Sequence, residues 1–573
     1  MSDHVHHGHP GDPGHHGART SAQQQSPMRT YRPSDEVDFV IVGSGAAGGV
    51  MARELSRNGF SVVVLEQGPW LTEREFSHDD FASQMRPGTS LTNRRQDQPG
   101  TRRKTEKDET TPSGWNNYGR VVGGGSVHFT ANYWRFPELE FEQATRFGVP
   151  DDSTIADWPI RYADLEPYYT KVEWDIGVSG LAGNPFEPPR TKGFPVPPLP
   201  IKSEGVLLAR GAKKLGMHPW AAPMAVLSRP YRGRSGCVAC GICIGNACEV
   251  RAKSSTLVTM IPEAVASGRC EIRPLSYVRK VETNASGRVT GVTYFDRTKR
   301  EIVQRAKAVI LSANGCETPK LLLVSATTAF PNGLANSSGQ VGRNIMFNGS
   351  ALRDGLFEHE INGWKGAVVG QVVWDTFEMP SSSGLYGGGG FDFRCGFTPL
   401  AGNATWPNEP TWGSAWKKRA RDYFTKRLAV YGHMTSLPTP NNRMDLDPKM
   451  KDAWGLPAPR LTFTGHPNDF KLGDWFGKRG EELLDAAGAL SIAGTYGAPD
   501  DGGPHLLGTC RMGNDPRTSV VNADHRAHDV PNLFIVDGSN FVTSGRGQPT
   551  MTIQALAFRA ADRIIALAKA KAI

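Results

Sequence analysis

The sequence lacks the long apolar run that a membrane-spanning helix requires. No uninterrupted stretch of about 18 apolar residues occurs in its 573 residues, so we expect no segment that spans a bilayer. The N-terminal stretch MSDHVHHGHPGDPGHHGARTSAQQQ also lacks the apolar centre and small-residue cleavage site of a signal peptide. Residues 1–35 are therefore predicted to form a disordered, His-rich tail.

Charge of one sign is not concentrated in any part of the chain. The net charge is +8, but the basic residues are scattered, so the composition does not indicate nucleic-acid binding. The densest basic stretch, RRQDQPGTRRKTEKDE at residues 94–109, contains its own acids and is predicted to be a solvated, mobile loop. A docking surface for an acidic redox partner is the alternative. The loop at residues 90–112 and the glycine-rich stretch 381–393 are candidates for mobile covers over a substrate cleft.

A dinucleotide-binding pattern lies near the N-terminus. The apolar run VDFVIV precedes a glycine turn and a helix-forming segment, and a second apolar run, FSVVVL, ends at Glu66. In such a turn the first glycine permits a sharp bend, the second lets the backbone approach a pyrophosphate, and the third lets the helix pack closely on the strand. These glycines are Gly43, Gly45 and Gly48. Glu66 is predicted to accept hydrogen bonds from an adenosine ribose.

Two further apolar strands are predicted far along the chain from this motif. AVILSAN ends at Asn314, and NLFIV stops at Asp537 and Gly538 near the C-terminus. The glycine motif alone does not distinguish FAD from NAD. A dinucleotide fold assembled from both ends of a chain is typical of large flavoproteins, so we expect FAD, with these three residues among its contacts.

Four stretches of the sequence resemble the glucose–methanol–choline (GMC) oxidoreductases. They are VIVGSGAAGG…VLEQG, GRVVGGGSVHFTANYWRF, VGRNIM, and HLLGTCRMG…NLFIVDGSNFVTSGRGQPTMTIQALAFRAAD. The resemblance implies an α/β fold with a Rossmann-like FAD-binding domain and an α+β second lobe, a substrate-binding domain built on an antiparallel sheet. We expect the FAD-binding domain to comprise residues 36–150, 230–345 and 500–573, and the substrate-binding domain 151–229 and 346–499.

The same resemblance implies roles for four residues. His505 corresponds to the histidine that takes the proton of a substrate hydroxyl, a task suited to an imidazole. Gln548 stands where the family usually has Asn or His, and it could hold the substrate oxygen or stabilise a developing alkoxide. Thr550 opens a final helix whose N-terminus points at the flavin. His128 matches a position that contacts the flavin and in some members is covalently bound to it.

Four of the eight cysteines are clustered in the stretch GCVACGICIGNACEV. Cys237, Cys240, Cys243 and Cys248 have a spacing close to, but different from, that of bacterial ferredoxins, which suggests a 3Fe–4S or 4Fe–4S cluster. Structural zinc, strained disulfides and unliganded thiols remain alternatives. The other cysteines, at positions 270, 316, 395 and 510, are expected to be buried thiols.

The sequence around the cysteine cluster resembles one branch of the family, the flavoprotein subunits of bacterial FAD-dependent glucose, gluconate, sorbitol and fructose dehydrogenases. That resemblance implies a dehydrogenase that oxidises a hydroxyl of a sugar, glycoside or sugar acid and passes electrons to a cytochrome c or a quinone. It also implies a small partner subunit with a twin-arginine signal and export to the periplasm, with a cytoplasmic location as the alternative. An oxygen-using oxidase without a cluster and a redox-silent flavin lyase are the competing functions.

Overall fold

The structure is a computed structural model that describes residues 28–72, 75, 97–241, 243–394, 409–494, 503 and 505–573. Residues 1–27 of the expected N-terminal tail lie outside these ranges. Residues 28–35, which were expected to belong to the tail, pack on the protein instead. The backbone amide of Tyr31 donates to Glu271 Oε2 at 2.8 Å, and Arg273 donates to the carbonyl of Tyr31 at 3.1 Å.

The strands are numbered in chain order. They are β1 Val37–Val42, β2 Val62–Leu65, β3 Gly100–Arg103, β4 Thr111–Ser113, β5 Trp220–Ala221, β6 Cys270–Arg273, β7 Tyr277–Thr283, β8 Val289–Phe295, β9 Glu301–Leu311, β10 Gly349–Leu356, β11 Val369–Val373, β12 Gly389–Arg394, β13 Arg427–Met434, β14 Arg443–Lys451, β15 Pro457–Thr462, β16 Ser491–Ala493 and β17 Leu533–Ile535.

The α-helices follow the same scheme. They are α1 Ala46–Arg57, α2 Gln143–Phe147, α3 Tyr162–Ile176, α4 Ser203–Lys214, α5 Met260–Ala266, α6 Asn314–Val324, α7 Gly413–Phe424, α8 Pro467–Ala487 and α9 Thr550–Lys569. Within the described ranges, no helix has both the length and the apolar character that crossing a membrane requires.

A seven-stranded sheet forms the dinucleotide-binding part of the protein. Its order is β6-β2-β1-β9-β8-β7, with β17 paired to β9. The pairs β6/β2, β2/β1, β1/β9 and β9/β17 are parallel, which explains why β1, β2 and β17 are almost continuously apolar and buried. The sheet thus joins strands from both ends of the chain, as the sequence predicts for a flavoprotein.

A six-stranded sheet in the order β16-β10-β13-β12-β11-β5 forms the second lobe, and each of its strand pairs is antiparallel. This confirms the expected antiparallel sheet. A third sheet, β14-β15-β3-β4, combines strands from residues 100–113 and 443–462. It therefore draws on both of the segments expected to form separate domains, and the residue boundaries of the domains stay a prediction.

Two stretches expected to be mobile contain strands. The polar strand β3 lies inside the expected loop at 94–109 and pairs with β15. Its side chains find a cross-strand partner there, since Arg103 Nε donates to Thr462 Oγ1 at 2.9 Å. Residues 94–96 lie outside the described part of the chain. The glycine-rich stretch 381–393 includes most of β12, which is buried, and a Cβ on Gly389 would lie 1.8 Å from the carbonyl oxygen of His433. Glycine here allows close strand pairing rather than motion.

Candidate active site

The turn after β1 has the close packing that the dinucleotide-binding pattern predicts. Gly43 has a φ of +93°, and a Cβ there would lie 2.5 Å from the carbonyl oxygen of Ser312. A Cβ on Gly48 would lie 2.0 Å from the Gly43 oxygen, so glycine is needed for α1 to lie this close to the strand. Gly45, at the start of α1, faces Gly124. A Cβ added to Gly124 would lie 2.7 Å from the Cα of Gly45. The N-terminus of α1 is thus bordered by two glycine turns, which suits a pyrophosphate.

Glu66 lies at the end of β2 and is buried. Its Oε2 accepts hydrogen bonds from the amide and the hydroxyl of Ser44 at 3.0 and 2.7 Å, and its Oε1 accepts one from the amide of Gly68 at 2.9 Å. Burial raises the pKa of Glu66, while the bonds from Gly68 and Ser44 act in the opposite direction. A carboxylate has about four acceptor positions, and three are used here, so one remains for the ribose hydroxyl expected at this position.

Asn314 and Asp537 meet where β9 and β17 end. Asp537 Oδ2 accepts from the backbone amide of Asn314 at 3.0 Å and from Thr318 Oγ1 at 2.6 Å, and its Oδ1 accepts from the amide of Ser539 at 2.8 Å. Gly538 follows directly, and a Cβ there would lie 2.9 Å from Leu507. Because β1 and β9 run parallel, these residues lie at the same edge of the sheet as the glycine turn, where dinucleotides bind in such folds.

Three buried polar atoms at this edge have no hydrogen-bond partner among the described residues. They are the hydroxyl of Ser312, Nδ1 of His128 and the hydroxyl of Ser539, of which the last is close enough to the Cys510 thiol to affect its pKa. Burying polar groups without hydrogen bonds is costly, so orphaned atoms beside an open helix N-terminus indicate a polar ligand. Together with the glycine turn and Glu66, this set of residues fits FAD. When bound, FAD supplies the acceptor for a hydride.

His128 follows a short turn at 124–127 that packs against Gly45. Burial lowers the pKa of His128 to about 4, and the positive charge of Lys253 adds to this effect. The ring is therefore neutral at neutral pH. An uncharged imidazole with an unpartnered Nδ1 suits either a hydrogen bond or a covalent bond to the flavin, and both expectations stay open.

Helix α9 begins at Thr550, immediately after Gln548 and Pro549, and its first turn has no side-chain cap. The first backbone N–H groups of a helix have no partner within the helix, and together they carry about half a positive charge. The side chain of Thr552 in this first turn forms a 2.8 Å hydrogen bond with the hydroxyl of Tyr169 on α3. The helix begins at Thr550 as expected and its start is held beside Gln548, while its direction toward the flavin stays a prediction.

His505 forms a short hydrogen bond with Asn348, with 2.5 Å between Nδ1 and Oδ1. Asn348 donates from Nδ2 to the carbonyl of Ser544 at 2.8 Å, so the amide oxygen is the atom that faces the imidazole. An amide oxygen only accepts, and Nδ1 of His505 must therefore carry the proton. Nε2 is left with its lone pair, which makes it the basic atom of this side chain.

Backbone pairing explains why these two side chains meet. Met346 and Leu507 form an antiparallel bridge, with reciprocal N–H···O bonds of 3.0 and 3.2 Å. Two residues further along each segment stand Asn348 and His505, which therefore oppose each other. The contact joins the chain just before β10 to the C-terminal segment that contains His505.

Gln548 lies between two histidines. Its Nε2 is 3.2 Å from Nδ1 and 3.1 Å from Nε2 of His433, so the amide nitrogen lies across that ring. The side chain of Gln548 is also near enough to His505 to raise the pKa of that histidine. The structure therefore brings the two residues expected to act in catalysis together, and it adds His433 from β13.

His433 is paired with a buried carboxylate. Its Nε2 lies 2.7 Å from Asp392 Oδ2, and the same oxygen accepts from Asn132 Nδ2 at 2.8 Å. Arg394 donates from Nε to the other oxygen of Asp392 at 2.6 Å. Asp392, His433 and Asn132 are nearly inaccessible to solvent, at 0%, 3% and 1% exposure. This polar group is part of the site wall that the six-stranded sheet contributes.

The electrostatics of the site favour neutral histidines beside an ionised carboxylate. Burial and, to a smaller extent, His433 together lower the pKa of His505 to about 3, while Gln548 opposes the decrease. Burial also lowers the pKa of His433, although Asp392 raises it. For Asp392, burial would raise the pKa, but Arg394 and His433 hold it below its usual range. His505 is thus available as a proton acceptor throughout the neutral range.

The sequence profile of the GMC oxidoreductases matches residues 37–348 and 438–557 of this chain. The chain belongs to the GMC oxidoreductase family. It is similar to the 2-methyl-1,2-propanediol dehydrogenase of Mycolicibacterium austroafricanum, with 35% identity over 93% of this chain and 95% of that protein. It is also similar to the fructose dehydrogenase large subunit of Gluconobacter japonicus, with 30% identity over 92% of this chain and 97% of that protein. The solved structure of a formate oxidase from Aspergillus oryzae, described in terms of the modification of its FAD, superposes with a TM-score of 0.60 at 16% identity. The match covers 94% of this chain and 100% of that one.

In this GMC oxidoreductase the four clustered cysteines are near one another, but they do not form a ligand set. Burial raises the pKa values of Cys237, Cys240 and Cys243, that of Cys243 to about 11, and the neighbouring thiols add to the increase. No group of three or more His, Cys, Asp or Glu in the described ranges is placed to hold a metal ion. The sulfur positions, including that of Cys248, therefore do not fit the expected iron–sulfur cluster. No disulfide forms among the described cysteines either.

The cysteine loop nevertheless contacts the cofactor side of the GMC oxidoreductase. The amide of Gly245 donates to the carbonyl of His128 at 3.0 Å. Lys253 donates from Nζ to Phe129 O at 3.1 Å and to Cys243 O at 2.9 Å, which ties the loop to the segment after His128. The loop is thus one hydrogen bond away from a residue expected to touch the flavin. The cysteines at 270, 316 and 510 are buried, as expected, and Cys395 lies outside the described residues.

Four residues of the site were not identified from the sequence: Asn132, Asn348, Asp392 and His433. Asn132 lies inside the quoted family stretch that ends in ANYWRF, and Asn348 stands two residues after VGRNIM, so these motifs are a signal that could have found them. Asp392 and His433 lie between the two ranges that the family profile matches. No local pattern marks them, because their partnership depends on the pairing of β12 with β13.

Proposed function

We propose that this protein is an FAD-dependent dehydrogenase that oxidises a hydroxyl group of a sugar, glycoside or sugar acid. The observation that carries the proposal is the fixed tautomer of His505. Asn348 holds the proton on Nδ1, so the lone pair on Nε2 faces the position where a hydroxyl would bind beside Gln548. Oxidation of a hydroxyl requires a base for the O–H proton and an acceptor for the C–H hydride.

Each group of the site has a task in this reaction. His505 takes the hydroxyl proton on Nε2, and Gln548 contacts the same region through its side-chain amide. The N-terminus of α9, with its free N–H groups, carries a partial positive charge. It would stabilise negative charge that develops on the cofactor side. The glycine turn and Glu66 would hold FAD, which would supply the hydride acceptor. Whether the flavin is covalently bound to His128 stays a prediction, which acid precipitation tests directly because covalent flavin remains with the protein pellet.

The polar lining of the site supports a substrate with several hydroxyl groups. Gln548, His433 and His505 bring polar groups to one wall, and such groups suit hydroxyl-rich ligands. The buried residues Asn132, Asp392 and Arg394 form the hydrogen-bond network that holds His433. The relative from Gluconobacter japonicus is named for fructose. The relative from Mycolicibacterium austroafricanum is named for a small diol, so a compact diol is the second candidate substrate.

We further propose that the electrons leave to a partner protein rather than to oxygen. The contact between the cysteine loop and His128 supports an exit on that side of the flavin. The name of the fructose dehydrogenase relative, a large subunit, supports a multi-subunit assembly, with a small subunit and a cytochrome c as the expected partners. The spacing of the clustered cysteines favours an iron–sulfur cluster, whereas the positions of their sulfur atoms do not favour it. The proposed electron path therefore does not depend on such a cluster. Export to the periplasm with such a subunit stays a prediction.

A comparison of acceptors tests this proposal. The purified holoenzyme would be given D-fructose, D-glucose, D-gluconate or 2-methyl-1,2-propanediol, either with an artificial electron acceptor under nitrogen or with oxygen alone. We expect turnover with the artificial acceptor and little hydrogen peroxide with oxygen. Equal turnover with oxygen would favour the oxidase, and no bleaching of the flavin by any hydroxyl compound would favour a lyase. Iron content, measured on protein purified without oxygen, decides whether the loop holds a cluster.

A further inference from the structure

A buried ion pair lies beside the segment that leads to Gln548 and has no task in the reaction as described so far. Glu140 Oε2 accepts from Arg546 Nε at 3.1 Å, and the exposure of both side chains is 0%. Arg546 also donates to the carbonyl of Phe377. A buried ion pair adds little net stability, because lost hydration offsets the attraction between the charges, and its best-attested use is to fix one arrangement of the chain.

Glu140 holds the amide end of the peptide group between Ser544 and Gly545. Its Oε1 accepts from the backbone N–H of Gly545 at 2.9 Å. Phe136, four residues before Glu140, packs directly on Gly545, since a Cβ there would lie 2.1 Å from the Phe136 ring. The φ of Gly545 is +78°, which side chains other than glycine disfavour. The segment at 136–140 therefore fixes this glycine through both a hydrogen bond and a close contact.

Asn348 holds the carbonyl end of the same peptide group. Its Nδ2 donates to the carbonyl of Ser544 at 2.8 Å, with a longer contact of 3.3 Å to the carbonyl of Gly545. A trans peptide group is planar, and its N–H and C=O bonds point in opposite directions. Glu140 and Asn348 therefore bind opposite ends of one rigid peptide plane.

A peptide group next to glycine turns easily unless both of its ends are held. Rotation of the plane between Ser544 and Gly545 changes ψ of the serine and φ of the glycine, and glycine adopts positive and negative φ about equally readily. The rotated plane would direct the Ser544 carbonyl away from Asn348. The Asn348 amide would then be able to turn and present Nδ2 instead of Oδ1 to His505.

We propose that Glu140 is a positioning residue that keeps the carbonyl of Ser544 turned toward Asn348, and thereby keeps the proton of His505 on Nδ1. The inference rests on the proposed role of His505 as the base in hydroxyl oxidation. Three hydrogen bonds carry it, from Gly545 N to Glu140, from Asn348 to Ser544 and from His505 to Asn348, at 2.9, 2.8 and 2.5 Å. Loss of the acceptor at Glu140 should therefore reach Nε2 of His505, the atom that takes the substrate proton.

Two double variants that differ only in whether position 140 can accept a hydrogen bond test the inference. Glu140→Gln/Arg546→Met and Glu140→Met/Arg546→Met both remove the two buried charges, and glutamine and methionine have similar lengths. The holoenzymes would be mixed with D-fructose or 2-methyl-1,2-propanediol under nitrogen, and the limiting rate of flavin reduction and the apparent Kd measured. We expect the second variant to be roughly 10- to 100-fold slower than the first, with little difference in Kd. Equal rates would overturn the inference.

The same two double variants, each combined with Asn348→Leu, show whether Glu140 acts through Asn348. Without the Asn348 amide, the orientation of the Ser544 carbonyl has no effect on His505. The two triple variants should then reduce the flavin at rates within about twofold of each other, because coupled residues lose their effect together. A difference as large as that between the double variants would show an independent role for Glu140 and overturn the inference.

Histidine NMR provides a readout that does not depend on turnover. With 15N-labelled histidine, His505 should be protonated on Nδ1 in the parent protein and in Glu140→Gln/Arg546→Met, whereas Glu140→Met/Arg546→Met should show a mixture of the two tautomers. The same tautomer in both double variants would overturn the inference. If neither probe bleaches the flavin of the parent protein, the proposed function fails, and the tautomers of His505 still decide the role of Glu140.

Amide hydrogen exchange in the parent protein tests the inference even if Glu140→Met/Arg546→Met does not fold. The N–H of Gly545 is bound to a buried carboxylate, so its exchange requires an opening of the surrounding structure. In protein labelled with 15N-glycine, we expect this amide to exchange at least about 1,000-fold more slowly than an exposed glycine amide. Exchange as fast as that of an exposed glycine would mean that Glu140 does not hold the peptide group, and would overturn the inference.

Discussion

Nδ1 of His505 donates its proton to Oδ1 of Asn348 across 2.5 Å, and Asn348 cannot turn its amide because Nδ2 is bound to the carbonyl of Ser544. A residue just before β10 thus determines which nitrogen of a C-terminal histidine can act as a base. The relationship places the predicted catalytic centre between the FAD-binding side and the six-stranded sheet. It also makes the chemistry of His505 testable through a residue that need not contact the substrate.

Replacement of Asn348 by leucine should release the imidazole of His505. Without an acceptor for Nδ1–H, the proton can move to Nε2 and the lone pair then points away from the substrate position. We expect the limiting rate of flavin reduction to fall about 100-fold while the FAD content stays unchanged. Asn348→Asp is the control, because its oxygen still accepts from Nδ1–H, and it should keep most of the rate. An unchanged rate in Asn348→Leu would contradict the assigned tautomer.

The reduction rate should be nearly independent of pH between about pH 5 and 8. The active form of His505 is the unprotonated one, and burial lowers its pKa to about 3, so the base stays unprotonated over this range. Asp392 remains ionised beside Arg394 and does not titrate here. Stopped-flow reduction under nitrogen at a series of pH values measures this. A tenfold loss of rate per pH unit below the ordinary histidine pKa of about 6.5 would show an unperturbed His505.

Substitution of Gly124 by alanine should weaken FAD binding. Gly124 has a φ of +64°, and a Cβ there would come within 2.7 Å of the Gly45 Cα, so the two turns beside the pyrophosphate position must separate. Gly59→Ala is the control, since Gly59 also has a positive φ, +94°, but a Cβ there meets nothing within 4 Å. Both variants should lose about 1–2 kcal/mol of unfolding free energy. Only Gly124→Ala should have a lower ratio of FAD to protein, measured from the absorbance of the purified protein.

Replacement of Lys253 by methionine should loosen the cysteine loop. Its buried ammonium group donates to the carbonyls of Phe129, Cys243 and Asn246, and the variant leaves these acceptors without that partner. We expect a loss of about 1–3 kcal/mol in unfolding free energy and faster reaction of the loop thiols with a thiol reagent. Lys214→Met is the control, because the exposed Lys214 donates to a single carbonyl. Equal thiol reactivity in both variants would mean that Lys253 does not hold the loop.

The strands and turn of the dinucleotide-binding part could be predicted from the sequence because their signals are local. The run at residues 37–42, the three glycines and Glu66 lie within one stretch, and their packing requirements are those of a single strand–turn–helix unit. The final helix follows from the resemblance to the family, and it forms from Thr550 to Lys569.

The remainder of the site depends on contacts between distant segments. The pairing of Met346 with Leu507 places Asn348 opposite His505. The register of β12 on β13 brings Asp392 next to His433. No periodicity within either segment encodes such a register. The polar strand β3 shows the same limit, since its pairing with β15 is supported by a hydrogen bond from Arg103 to Thr462 rather than by an apolar pattern.

Anaerobic mixing of the holoenzyme with hydroxyl compounds tests the central claim most directly, namely that His505 removes a hydroxyl proton while FAD accepts the hydride. The flavin spectrum would be followed after addition of D-fructose, D-gluconate or 2-methyl-1,2-propanediol to the parent protein and to His505→Ala. The account predicts bleaching of the parent flavin by at least one compound and a rate about 1,000-fold lower in His505→Ala at equal FAD content. Bleaching at the same rate in both proteins would contradict it.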